Sequence, residues 1–237
     1  MALVGKIVTH SIGRLIGQLN QQGGGSSLPV LEAFVQTNGP ADATVANLTF
    51  VAPSGITAGD FLFIISGTDN TGGAPIASCA DGSWTKLGEV GSAAPDVQIA
   101  VFYKIASGGE GNIQIDYSVS RRAGGWYGRV SGANSTPIDA SAFTEEGGST
   151  TAHSIGAITT TVDNCLIIAG MCLDAGGSFT WTTGGWTEQD ELDTGTIQME
   201  VGFGTKDQES LGTTGACAIT TSSSNGSAKF MMAISPR

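Results

Sequence analysis

The chain has 237 residues, 36 of them glycine, with 13% charged residues and a formal net charge of −11. That length is enough for one large β domain or two small ones, without help from disulfides or a metal. The acidity opposes binding to nucleic acid or to an anionic membrane surface, and no apolar run reaches membrane-spanning length.

In residues 1–22, Val4, Val8, Ile12, Leu15, Ile16 and Leu19 fall at helical spacing. Lys6, His10 and Arg14 interrupt the apolar run and no small-residue cleavage site follows, so it does not read as a signal peptide. Gln21-Gln22-Gly23-Gly24-Gly25-Ser26-Ser27 reads as a linker. Residues 1–27 are therefore expected to be an N-terminal arm, with those six apolar residues as its partner-binding contacts.

Strand signals begin at Leu28, and the sandwich is expected to span 28–237. Short β candidates lie at 31–35, 46–50 and 61–65, the last a continuous apolar run that predicts a strand covered on both faces. Val97, Ile99, Val101 and Tyr103 alternate with Gln98, Ala100 and Phe102, which predicts a strand with Val97 turned inward and Gln98 outward. Further strands are expected at 113–117 and 126–130. Residues 131–142 read as a connector. Strands at 166–168, 179–182, 197–203, 217–221 and 230–234 follow.

Several of these segments echo one another in the same order. Gly59-Asp60-Phe61-Leu62 is echoed by Val162-Asp163-Asn164-Cys165, and Gly82-Ser83-Trp84-Thr85 by Gly185-Trp186-Thr187. Val97–Tyr103 aligns with Ile197–Phe203, and Val130-Ser131 with Ile234-Ser235. Ordered echoes with drifting spacing mark a duplicated β unit. The expected fold is all-β: a jelly-roll-like antiparallel β-sandwich built from two sequence repeats, about 30–132 and 138–235, after a short N-terminal arm. Strands of both copies are expected to interleave in two sheets, because one sandwich buries more surface. The alignment places Ile197, Met199, Val201 and Phe203 inward and Gln198 outward.

The chemistry-bearing residues yield no catalytic set. Glu188, Asp190 and Asp193 approach the carboxylate spacing of a retaining glycosidase strand, but the segment 188–193 reads as an acidic surface loop. Asp69, Asn70 and Asp81 lack the spacing of a calcium loop. His10 and His153 have no nucleophile elbow to serve. Cys79, Cys165, Cys172 and Cys217 form no Cys-x-x-Cys, and read as free thiols of a reducing compartment. Trp84, Trp126 and Trp186 fall at repeated positions and read as core, whereas Trp181 is the candidate glycan contact. No catalytic, cofactor or metal residue is assigned.

The ordered set Gly59-Asp60-x-Leu62, Trp84-Thr85-x-Leu87, Val101-Phe102-Tyr103-Lys104-x-Ala106-x-Gly108-x-Glu110, Pro137-Ile138-Asp139-Ala140 and Gly185-Trp186-Thr187 resembles a β-sandwich domain that recurs in tailed-phage and prophage virion proteins. The resemblance covers roughly residues 30–237. It implies a non-enzymatic structural module on the virion, made in the host cytoplasm. Its role would be that of a capsid decoration or cement protein docked through its arm. The alternative is a tail or fibre component with a glycan-binding module for adsorption to a host surface glycan. The implied partners are other virion proteins, major capsid or tail proteins, and further copies in a homo-oligomer. The second copy departs from the pattern, with Phe203-Gly204-Thr205-Lys206-Asp207 in place of the Tyr-Lys block.

Overall fold

The structure, a computed structural model, describes residues 27–40, 43–69, 77–91, 97–174, 177–193 and 199–237. The arm residues Val4, Val8, Ile12, Leu15, Ile16 and Leu19 lie outside the described residues, as do Asn70, Ile197 and Gln198. The described residues contain no helix. The strands are β1 (Val30–Asn38), β2 (Val45–Phe50), β3 (Phe61–Asp69), β4 (Ala77–Cys79), β5 (Thr85–Gly91), β6 (Val97–Ile105), β7 (Ile113–Arg121) and β8 (Ala123–Ser131). They continue as β9 (Ala133–Ile155), β10 (Thr159–Thr160), β11 (Cys165–Leu173), β12 (Phe179–Trp181), β13 (Thr187–Asp193), β14 (Glu200–Gln208), β15 (Gly212–Thr213) and β16 (Cys217–Pro236).

The first eight strands form a five-stranded sheet, β1-β8-β3-β6-β5, faced by a three-stranded sheet, β2-β7-β4, all antiparallel. This winding is a jelly roll. The later strands repeat it. Residues 133–146 of β9 pair with the end of β16, which pairs with β11, then β14, then β13. Residues 152–155 of β9 pair with the start of β16, which also pairs with β12. β9 and β16 thus run through both sheets of their roll, and the register shifts between Thr220 and Ser227 mark where they pass from one to the other.

Among the described pairings, no strand of β1–β8 bonds to a strand of β9–β16. The expected interleaving is therefore replaced by two rolls, each keeping its own strands. Their five-stranded sheets pack back to back. Phe61, Phe63, Ile65, Val97, Ile99, Val101 and Trp126 of the first roll meet Leu166, Ile168, Met199, Val201, Phe203 and Phe230 of the second in one core. Each roll has a further core between its own two sheets.

This layering explains a second departure. Gln98 was expected at the surface but is 1% exposed. β6 is covered on both faces, by the second roll on one side and by the three-stranded sheet on the other. Ala100 and Phe102 pack in that outer core, and Gln98 donates from Nε2 to Glu89 Oε1 on β5. The amide nitrogen is thereby satisfied, whereas Oε1 is buried with no partner among the described residues.

The ladders also correct the alignment of the halves. Trp126, Ile65, Val101 and Gly88 lie side by side across the first roll, with Gln36 beside Trp126. The matching row of the second is Phe143, Phe230, Gly170, Phe203 and Asp190. Val101 therefore corresponds to Phe203, and Gln98 to the fully buried Glu200. The slip from the sequence alignment is even-numbered, so Met199, Val201 and Phe203 still turn inward.

The rows face each other with ends reversed. Gln36 meets Asp190 at one end, and Phe143 covers Gly88 at the other. A twofold axis would exchange contacts in this way. Close approach needs Gly67, where a Cβ would lie 2.3 Å from Val201 Cγ2 and 3.2 Å from Cys172 Sγ. Overpacking of this kind costs about 1–3 kcal/mol. Gly67→Ala should lower the urea midpoint accordingly, while Gly82→Ala, with nothing within 4 Å of the added carbon, should leave it unchanged. Equal midpoints for the two variants would contradict this packing.

Candidate functional site

The acidic run after Trp186 is a strand, β13, at the edge of the second roll's large sheet, not a surface loop. A register shift between Glu188 and Asp190 breaks the alternation. Asp190 is turned toward the first roll, where its Oδ2 accepts from Trp126 Nε1 at 3.0 Å and from Gln36 Nε2 at 3.3 Å. Gln36 Nε2 also donates to the Glu191 carbonyl at 3.1 Å. Glu191 Oε2 accepts from the Phe179 amide at 2.9 Å. Partial desolvation, then the charges of Glu191 and Asp190, raise the Glu188 carboxyl above its ordinary range. Its two acidic neighbours are engaged in bonds within the fold, one of them across the junction of the rolls. The run clamps the two rolls together.

A second polar cluster joins residues that the sequence keeps far apart. His153 on β9 and Ser227 and Lys229 on β16 are buried. His153 Nδ1 lies 2.9 Å from Glu146 Oε2 and 3.3 Å from Ser227 Oγ, and Lys229 Nζ donates to the same Glu146 oxygen at 2.8 Å. Serine, histidine and carboxylate are thus assembled, but not as a hydrolytic triad. A triad needs the nucleophile and the orienting acid on opposite ring nitrogens. Here both partners share Nδ1, and Nε2 is buried without a partner among the described residues. Sequence reasoning missed this cluster because β9 was read as a connector, and only the β9–β16 ladder brings these side chains together.

The other sequence candidates are dispersed. Asp69 is paired with Arg122, Nη1 to Oδ2 at 2.9 Å, and also accepts the Arg122 amide. Asp81 accepts from the Ser83 amide in a turn. No group of three metal-ligating side chains occurs among the described residues. Trp181 is half-buried against Trp186, ring centroids 5.7 Å apart, and its ring closes over Gly204. Cys165, Cys172 and Cys217 are buried, and burial pushes the Cys165 thiol up to about 11.

One groove opens at the end of the second roll, with a volume of about 720 Å³. Its walls include Asn134, Ile138, Asp139, Val162, Asp163, Leu211 and Arg237. Comparison with protein-family models, curated proteins and solved structures finds no match.

The Glu146 cluster has a definite pH signature. Burial alone would raise its carboxyl, but the bonds from Lys229 and His153 outweigh that and hold it below the ordinary 4.5. A depressed carboxylate gives stability that is complete above the unfolded value and is lost as pH falls through the folded one. Glu146→Gln should therefore be less stable than the parent at neutral pH. The gap should close as pH drops below about 4.5, read from urea midpoints across a pH series. A gap independent of pH would contradict the assignment.

Proposed function

We propose that the chain is a non-enzymatic structural protein of a tailed-phage virion, in the manner of a capsid decoration protein docked through residues 1–27. The observation that carries this reading is the use of the acidic run. Asp190, the central carboxylate of the run that resembled a hydrolytic set, accepts hydrogen bonds from Trp126 and Gln36 across the junction of the two jelly rolls, while the Glu191 side chain accepts the Phe179 amide within the second roll. A body of two rolls packed through a continuous core is a rigid load-bearing unit, because close-packed interiors transmit strain instead of deforming. The resemblance of the motifs from Gly59-Asp60 to Gly185-Trp186-Thr187 to those of virion sandwich domains supports the same reading. The apolar arm supplies the docking element, joined to the body by a glycine-rich linker.

A truncated chain beginning at Leu28 should fold, with a cooperative unfolding transition. It should fail to bind virion particles or purified capsid protein in a sedimentation assay. Undiminished particle binding by the truncated chain would overturn the arm-docking reading.

A further inference from the structure

The groove of the second roll lies beside the point where the arm joins the body. Leu28 O and Pro29 Cα lie 3.7 and 3.6 Å from the position a Cβ would take on Gly132. The Gly132 carbonyl accepts the Arg237 amide at 2.8 Å, and Arg237 forms one wall of the groove. Val162 and Leu211, also in its walls, are 39% and 60% exposed, although most large apolar side chains of the body are buried. Apolar side chains gathered at one groove mark a contact surface.

The groove wall carries two carboxylates, Asp139 and Asp163, beside the Arg237 side chain. Asp139 accepts from the Thr161 amide and hydroxyl, and Asp163 from the Leu211 amide. Neither has an ion-pair partner among the described residues, whereas Asp60, Asp69, Glu110 and Glu146 each have one. An apolar segment bearing positive charge would complement Val162, Leu211 and these two carboxylates. The arm has that chemistry, with Val4, Val8, Ile12, Leu15, Ile16 and Leu19 beside Lys6 and Arg14 and no acidic residue. The stretch from Asn20 to Ser27 spans up to roughly 26 Å when extended, ample for a site adjoining its attachment.

We propose that this groove is the seat of the chain's own arm: apolar residues from 1–19 cover Val162 and Leu211, with Lys6 and Arg14 near Asp163 and Asp139. The proposal stands apart from the virion reading, since it concerns the isolated protein. The test is limited trypsin digestion of the full chain, followed by mass spectrometry of the cut after Arg14. Leu211→Asp and Val162→Asp are the variants. Both side chains are exposed, so the variants should keep the parent's melting transition. The cut should be at least ten-fold faster in either variant than in the parent, and the parent rate should be independent of protein concentration. The same rate in parent and both variants would overturn the proposal. So would a parent rate that rises on dilution, which would assign the groove to the arm of a second copy.

Discussion

The structure depends on the back-to-back contact between two five-stranded sheets. At its centre Phe203 of the second roll enters a box formed by Phe34, Phe63 and Trp126 of the first, with ring centroids 5.2, 6.2 and 4.9 Å away. Burying each large apolar side chain is worth about 1.5–3 kcal/mol. A net hydrogen bond contributes about 1 kcal/mol. Apolar burial therefore supplies the attraction between the rolls, while the bonds from Gln36 and Trp126 to Asp190 fix how they sit. The alternative to those bonds is a buried indole N–H with no acceptor.

That contact sets the character of the rest. β3, β6, β11 and β14 are central strands covered on both faces, so even their polar positions fall in the interior. On β6, Gln98 donates to Glu89, and between β9 and β16 the partly exposed Glu146 gathers the buried His153, Ser227 and Lys229. Such groups depend on internal partners, and Gln98 Oε1 and His153 Nε2 have none among the described residues. In these places acidic and amide side chains serve packing and register.

Much of this was legible in the sequence. The continuous apolar run Phe61–Ile65 predicted a strand with no solvent face, and β3 is buried throughout. The Val97, Ile99, Val101 alternation predicted the inward face of β6. What failed was reasoning that treats one face as wet. Gln98 is polar and was placed outside, because nothing local reveals that a second sheet lies over it. Asp190 was assigned to a loop because four carboxylates in six residues look solvated, and only a partner from the other roll explains its inward turn. β9 was missed because Ser131–Ala142 has few β-branched residues; its strand form comes from pairing along β16. Short-range echoes placed the copies in order, but the cross-strand rows were needed to set their register. Of the candidate sites, the arm lies in residues that the structure does not describe, and the groove draws on segments distant in sequence.

The most direct measurement is a double-mutant cycle on the bond between the rolls, combining Asp190→Ala with Trp126→Phe and reading stability from urea unfolding. If Asp190 is a structural clamp, its loss costs about 1–3 kcal/mol in the parent and clearly less once the indole N–H is gone. The two changes should then depart from additivity by more than about 0.5 kcal/mol. Additive effects, or an Asp190→Ala chain as stable as the parent, would contradict the account and return the acidic run to solvent.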